Sequence, residues 1–252
     1  MDMYGRGCQH NCAYCFARGL LDFRGLWDPV RPAIADRAKV AKQLDKIPAG
    51  TTLRLGGMTD PFAPIESVCG HTRWLIGELN HRRIGYLIVT KSGSVSDCLD
   101  ILDGELAHVQ ISYTYTEGLE PPGYETADSP ENRLSSAAEL FAHGIDTQLR
   151  LSPFVPQFVD LNRVIRSPVE KVLVEFMRVN NRIKAKLPDV DFAAWSEKSG
   201  GYLHLPLETK LEHLQPILGK KRVSVCEDHP AHYEYFRENI NPNKSDCCDL
   251  RR

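Results

Sequence analysis

The sequence predicts an α/β fold: a partial, open (β/α)6 barrel of TIM type with a cysteine-bearing C-terminal extension. Three observations lead there. Short apolar runs rich in β-branched residues alternate with segments of helical periodicity, the signature of strand–crossover–strand units in a parallel sheet. Counted with the opening "MDMYG", these runs number six, two short of a closed eight-stranded barrel. After about Leu187 the alternation stops, and the remaining segment carries three of the eight cysteines. The expected organisation is a barrel over 1–187 and an appended extension over 188–252.

The elements follow in order. "MDMYG" reads as a short first strand. "TTLRL" (51–55), "IGYLIVT" (84–90), "HVQISYTY" (108–115), "DTQLRLS" (146–152) and "VEKVLVEFM" (169–177) supply the others. Helical patterns lie between them. "AIADRAKVAKQLDKI" and "SVCGHTRWLIGELNHR" carry apolar residues at helical spacing, and "PENRLSSAAELFAHG" opens on Ser-Pro and stops at Gly. In the extension, "PDVDFAAWSEKSGGYLHLP" is loop-like, "LETKLEHLQPILG" reads as a helix despite its proline, and "KRVSVCED" as a strand.

Composition narrows the function classes. A net charge of −2 over 252 residues argues against a general nucleic-acid coat. No apolar run reaches the ~18 residues of a membrane span, and the N-terminus lacks the layout of a secretory signal. The expected location is a reducing cytoplasm. There, cysteines read as metal ligands, catalytic thiols or small buried residues rather than as disulfides.

"GRGCQHNCAYCFAR" (5–18) concentrates the chemistry, with Cys8, Cys12 and Cys15 spaced C-x3-C-x2-C. Three thiolates from one loop can hold three irons of a cubane cluster and leave the fourth iron open. Zinc is the competing metal, with His10 as a crowded fourth ligand. Three unrelated buried cysteines are the bland alternative.

The loop "CQHNCAYCFAR" resembles the signature of radical S-adenosylmethionine enzymes. "LGGMTDPFAPIE" (55–66), "VTKSGSV" (89–95) and "PPGYETADSPENRLSSAAELFAHGIDTQLRLSPFVP" (121–156) resemble the spore photoproduct lyase-like branch over roughly residues 4–180. The resemblance implies a [4Fe–4S] cluster on Cys8, Cys12 and Cys15, and S-adenosylmethionine on its open iron. It implies reductive cleavage to a 5′-deoxyadenosyl radical and an electron donor such as flavodoxin. It places Tyr14 near the adenine, Gly56 and Gly57 at the methionine amino group, and Lys91 at its carboxylate. This chain has Gly-Gly-Met where the branch commonly has Gly-Gly-Glu, so Thr59 and Asp60 become substitute polar contacts, with a plain Asp-Pro turn as the competing reading. Ser112, if inward, would reach the cofactor's amino acid or ribose. Arg150 is expected inside the barrel near a carboxylate, as one of the cofactor-binding residues, and Arg133 on the surface.

Cys69 and Cys98 sit in apolar patterns and read as small buried residues. Cys226, Cys247 and Cys248 do not. They are candidates for a second iron–sulfur cluster, for a redox or hydrogen-donor thiol, or for incidental thiols.

The branch implies a thymine-derived nucleobase in DNA, repaired, rearranged or hypermodified, with an amino-acid-modified thymine as one form and a lyase or isomerase as the enzyme type. The alternatives are a radical enzyme acting on a small metabolite or peptide, and a non-catalytic iron–sulfur nucleic-acid-binding module. "HRR" (81–83), "GKKR" (219–222), Arg251 and Arg252 are candidates for a phosphate path. Trp195, Tyr202 and His204 are candidates to stack on an extruded base, with core packing the default for Trp195.

Overall fold

The computed structural model describes residues 1–250. Among them, six strands form a parallel sheet in the spatial order Arg222–Val225, Lys171–Phe176, Asp146–Phe154, Ala107–Ser112, Gly85–Thr90, Thr52–Leu55. Registers are in step at the outer pairs: Thr52 lies opposite Gly85, and Arg222 opposite Lys171. All six residues of Ala107–Ser112 are buried, as are five of six in Gly85–Thr90. Strands covered on both faces must be apolar almost throughout, which is why the sequence shows runs here rather than alternation. The order is that of a partial barrel.

The sixth strand is not the predicted one. Tyr4–Gly5 stays outside this sheet and pairs antiparallel with Ala33–Ile34. Arg6 at φ 63° and Gly7 at φ 135° turn the chain directly into the cysteine loop and leave no length for a longer strand. The place is taken by Arg222–Val225, so the 188–252 segment contributes to the sheet.

Helix ends follow local chemistry. Asp36 caps Arg37–Leu44 by accepting from the Lys39 N–H, and Ser129 caps Pro130–Ala142 by accepting from that of Asn132. The helix expected across "SVCGHTRWLIGELNHR" is broken: Gly70 at φ 59° ends Glu66–Cys69 and opens His71–His81. The helix Leu207–Leu214 stops two residues before Pro216, which could not have continued it. The loop expected around "SEKSGGYLH" is a hairpin, Glu197–Ser199 with Tyr202–His204. Its Gly200 and Gly201 both have positive φ, as a tight primed turn requires.

The chain divides into two compact units, residues 1–111 with 125–147, and residues 112–124 with 148 onward. The first buries Leu75, Ile76, Leu79, Ile84 and Ile88. The second buries Leu149, Leu151, Val172, Val174, Val225 and Phe236. No helix of the described residues is long and apolar enough to cross a membrane.

Gly56 closes the strand Thr52–Leu55 at φ 88°, and a Cβ there would lie 2.4 Å from the Val89 carbonyl oxygen. Backbone cannot yield as a side chain does. Gly56→Ala is therefore expected to cost at least about 2 kcal/mol in urea unfolding, combining a disfavoured φ with the clash. A loss below about 0.5 kcal/mol would mean the strand end relaxes freely.

Candidate functional site

In the first unit the cysteine loop is a succession of tight turns. The Asn11 N–H donates to the Cys8 carbonyl (3.1 Å) and the Cys15 N–H to that of Cys12 (3.2 Å). Asn11 has φ 46°. Gly7 is required because a Cβ there would meet the Pro29 nitrogen at 2.9 Å. Cys15 stands at the N-cap of helix Phe16–Phe23. Cys12 is buried, and Cys8 and Cys15 are half-buried. Burial pushes the Cys8 thiol up to about 12, and that of Cys12 well above its usual value. Buried thiols of this kind ionise only against a nearby cation. A metal-bearing group fits that need, and three soft donors on one short turn fit an iron–sulfur cluster.

His10, the fourth ligand of a zinc reading, sits beside Asp60 in this arrangement. It is buried, with Nε2 3.3 Å from Asp60 Oδ2. Asp60 in turn accepts from Thr90 Oγ1 (2.6 Å), the Lys91 N–H (2.6 Å) and the Phe62 N–H (2.9 Å). Burial raises its pKa, but His10 and these donors outweigh that and hold the carboxyl at about 2. Thr59 Oγ1 donates to the Tyr4 carbonyl (2.7 Å). The Gly57 and Met58 N–H groups donate to the Asp2 carboxylate at 2.8 and 3.1 Å. Thr59, Asp60 and the Gly57 amide are thus engaged in internal contacts that shape the loop.

Glu125 is the residue the sequence reading missed. Its buried carboxylate accepts from Tyr14 Oη and from Arg133, and Cys12 Sγ lies 3.8 Å away. Burial raises its pKa, yet Arg133, Lys91 and Tyr14 hold it below the usual carboxylate range. Lys91 Nζ sits 5.6 Å from the centre of the Tyr14 ring. The expectation of a surface Arg133 is corrected: it is fully buried, because its charge is needed to neutralise Glu125. Glu125 lies inside the quoted "PPGYETADSP", but nothing in its sequence spacing links it to Tyr14, 111 residues away.

In the second unit, Arg150 and Glu175 pair at 2.5 Å, and Ser152 Oγ donates to the same carboxylate oxygen at 2.7 Å. Ser112 is buried at the end of its strand. Cys226 follows the strand Arg222–Val225 and donates its N–H to the Val174 carbonyl (2.9 Å). A hydrogen bond from Cys247 pulls the Cys226 thiol below its usual value, against burial and Glu175 and with help from Arg150. Cys247 is pushed up by its contacts to Cys226 and Cys248 and by burial. The donor atoms of Asp246, Cys247 and Cys248 all lie within 4.8 Å of one another. The tail that carries them is anchored: Asp249 pairs with Arg222 at 2.5 and 2.8 Å, and its carbonyl accepts from Lys171 Nζ at 2.7 Å.

Several candidates serve other ends. Arg82 pairs with Asp45 and Glu78, and Arg83 with Asp103 and Glu105. Lys221 donates to the Ser167 and Val169 carbonyls. These cations have partners within the protein. Arg251 and Arg252 lie outside the described residues. Trp195 is buried and donates to the Met177 carbonyl (2.8 Å). Tyr202 lies under Arg178, 5.2 Å from its ring centre. His204 is buried, 3.4 Å from Glu227. Cys98 is buried and Cys69 half-buried.

The sheet order defines a class of fold, a partial barrel of TIM type. Among solved structures, spore photoproduct lyase complexed with dinucleoside spore photoproduct superposes with a TM-score of 0.64 at 15% identity, over 90% of this chain and 75% of that one. A mutant of the same lyase with bound AdoMet and dinucleoside spore photoproduct gives 0.62 at 14%, over 89% and 74%. Streptococcus suis SuiB bound to S-adenosylmethionine gives 0.52 at 10%, over 94% and 53%. At these identities the likeness is one of fold. No family model matches the chain. An uncharacterized protein of Methanocaldococcus jannaschii is 25% identical over 167 residues, 63% of this chain and 61% of that protein. An uncharacterized protein of Mycobacterium tuberculosis is 27% identical over 167 residues, 62% and 49%. The chain thus spans about three fifths of the first relative's length and about half of the second's.

Asp60 provides a test of the loop's anchorage. Its folded pKa of about 2 lies below its ordinary 3.8. Its contribution is therefore complete above about pH 4 and lost as pH falls towards 2, a difference on the order of 2 kcal/mol. Urea unfolding of the cluster-free chain is expected to show that acid limb, and Asp60→Asn to flatten it while lowering stability at pH 7 by about 2 kcal/mol. An acid limb unchanged in the variant would assign it to other carboxylates.

Proposed function

We propose that this protein is a radical S-adenosylmethionine enzyme of lyase or isomerase type acting on a thymine-derived nucleobase in DNA, for repair or for rearrangement and hypermodification. The observation that carries the reading is the group Cys8, Cys12 and Cys15 on one tight loop, in a chain with this partial-barrel fold. When bound, a [4Fe–4S] cluster with S-adenosylmethionine supplies a hydrogen-abstracting 5′-deoxyadenosyl radical.

The chain's own residues do the holding. Cys8, Cys12 and Cys15 are the cluster ligands in this reading. Asp60 fixes the loop through His10, and Glu125 fixes Tyr14 and neutralises Arg133. Lys91, with its backbone bound to Asp60 and its ammonium over Tyr14, is oriented to meet a carboxylate. Gly56, Gly57 and Ser112 lie at or just beyond strand ends, where ligands of such sheets gather. Arg150 and the thiols of Cys226, Cys247 and Cys248 form a second working group, which we assign to an auxiliary cluster or substrate site. In this division residues 1–187 carry the radical chemistry and 188–252 the extension. Eight cysteines, all free, suit a reducing cytoplasm, where a low-potential donor such as flavodoxin would supply the electron. The nucleobase is supported by the neighbour bound to a dinucleoside spore photoproduct.

Three outcomes test this. Anaerobically reconstituted protein with dithionite and S-adenosylmethionine is expected to release 5′-deoxyadenosine, and the Cys8/Cys12/Cys15→Ala variant none. Failure of the reconstituted parent would leave a non-catalytic iron–sulfur module. DNA deuterated at thymidine is expected to pass label into 5′-deoxyadenosine, and unlabelled product with turnover would point to a small metabolite or a peptide. The same triple variant is expected to retain about four irons if the C-terminal cysteines hold a second cluster. Retention of none would leave Cys226, Cys247 and Cys248 as thiols, one of them able to donate a hydrogen atom.

A further inference from the structure

Outside the two cysteine groups, the hairpin strand Glu197–Ser199 and the start of helix Pro230–Asn239 bring one carboxylate and two imidazoles together. We propose that Glu197, His229 and His232 bind a divalent first-row transition ion of the zinc class. The ion clips the hairpin to the helix and keeps one coordination position open to solvent.

The geometry fits the ion's size. One ligand atom from each of the three residues lies within 4.8 Å of the others. His232 Nε2 is 2.9 Å and His229 Nε2 3.7 Å from the same Glu197 oxygen, Oε2. Zinc bonds of about 2.0–2.1 Å at the tetrahedral angle separate neighbouring donor atoms by about 3.3 Å, between those two distances. Two nitrogens and one oxygen are the donor set of a three-ligand zinc site with an open fourth position.

A hydrogen bond from His232 to Glu197 would need only one imidazole. The structure supplies a second, stacked on the first with ring centres 3.9 Å apart and planes 17° from parallel. Both rings turn Nε2 towards the carboxylate, and the other nitrogen of His229, Nδ1, is buried with no hydrogen-bond partner. The spacing i, i+3 puts both histidines on one side of the helix start. His232 is buried, while His229 and Glu197 are half-buried, their side chains 18% and 38% exposed, so an ion has a way in.

A surrounding set of contacts holds the pair. Lys210 Nζ lies 3.0 Å from His232 Nδ1 and also donates to Glu227. The other Glu227 oxygen accepts from the N–H groups of Asp228 (2.9 Å) and His229 (3.0 Å), shaping the turn that delivers His229. These contacts fix the His232 ring and the turn before it.

The experiment uses the full chain under anaerobic conditions, with zinc and cobalt(II) as probes. Competition with a chromophoric chelator is expected to find one more tightly bound zinc per chain in the parent than in Glu197→Gln, His229→Gln or His232→Gln. Sulfur-to-cobalt charge-transfer bands, which report the cysteine sites, are expected to be the same in all four proteins. Zinc is expected to raise the melting temperature of the parent more than that of the variants. Equal zinc in all four proteins overturns the proposal, as does a loss of cobalt that removes only the sulfur bands. Histidine acylation of the parent, mapped by mass spectrometry, covers the case of a variant that does not fold. Zinc is expected to protect His229 and His232 together, and undiminished modification of both overturns the site.

Discussion

Asp60 is a fully engaged buried carboxylate, and the geometry of the cysteine loop depends on it. It joins three stretches that are far apart in sequence: His10 inside the loop, the turn after the strand Thr52–Leu55, and the end of the strand Gly85–Thr90. A carboxylate in that position would be costly alone. With one imidazole and three hydrogen-bond donors around it, the charge is stable, and its removal would leave several donors without an acceptor. Asp2 repeats the device on a smaller scale, accepting the amides of Gly57 and Met58. The loop can therefore carry three thiols close together without a long strand to brace it.

Charge burial recurs as the organising constraint elsewhere. Glu125 and Arg133 neutralise each other in full burial, and their partner Tyr14 is thereby fixed beside Cys12. In the second unit Arg150 pairs with the half-buried Glu175 beside Cys226. Removing one member of such a pair typically costs about 3–5 kcal/mol because the other charge is left unpaired. The arrangement is poor value as pure stability. It is sensible where side chains near thiols must keep one orientation.

Much of the fold was legible from periodicity, and the misses have local causes. Five strands of the sheet coincide with or overlap the predicted apolar runs because strands covered on both faces leave few polar positions. The sixth was misassigned because "MDMYG" and "KRVSVCED" are both short, and only pairing decides between them. The break at Gly70 and the stop before Pro216 were visible in the residues but lost to the helical pattern around them. The Gly200–Gly201 turn carried a hairpin signal, but its strands are three residues each, too short for alternation to show.

The sequence by itself determined the cysteine spacing, the helix caps and the parallel α/β character, because each depends on neighbours within a few positions. Tertiary structure alone decided that Arg133 is buried, that Glu125 holds Tyr14, and that the cations at 82, 83, 221 and 222 are spent on internal partners. It also decided that Cys226 meets Cys247 and Cys248, and that Glu197 meets His229 and His232. Which charge neutralises which, across 37 residues for Arg82 and Asp45, follows from strand order and burial, and no local pattern encodes either.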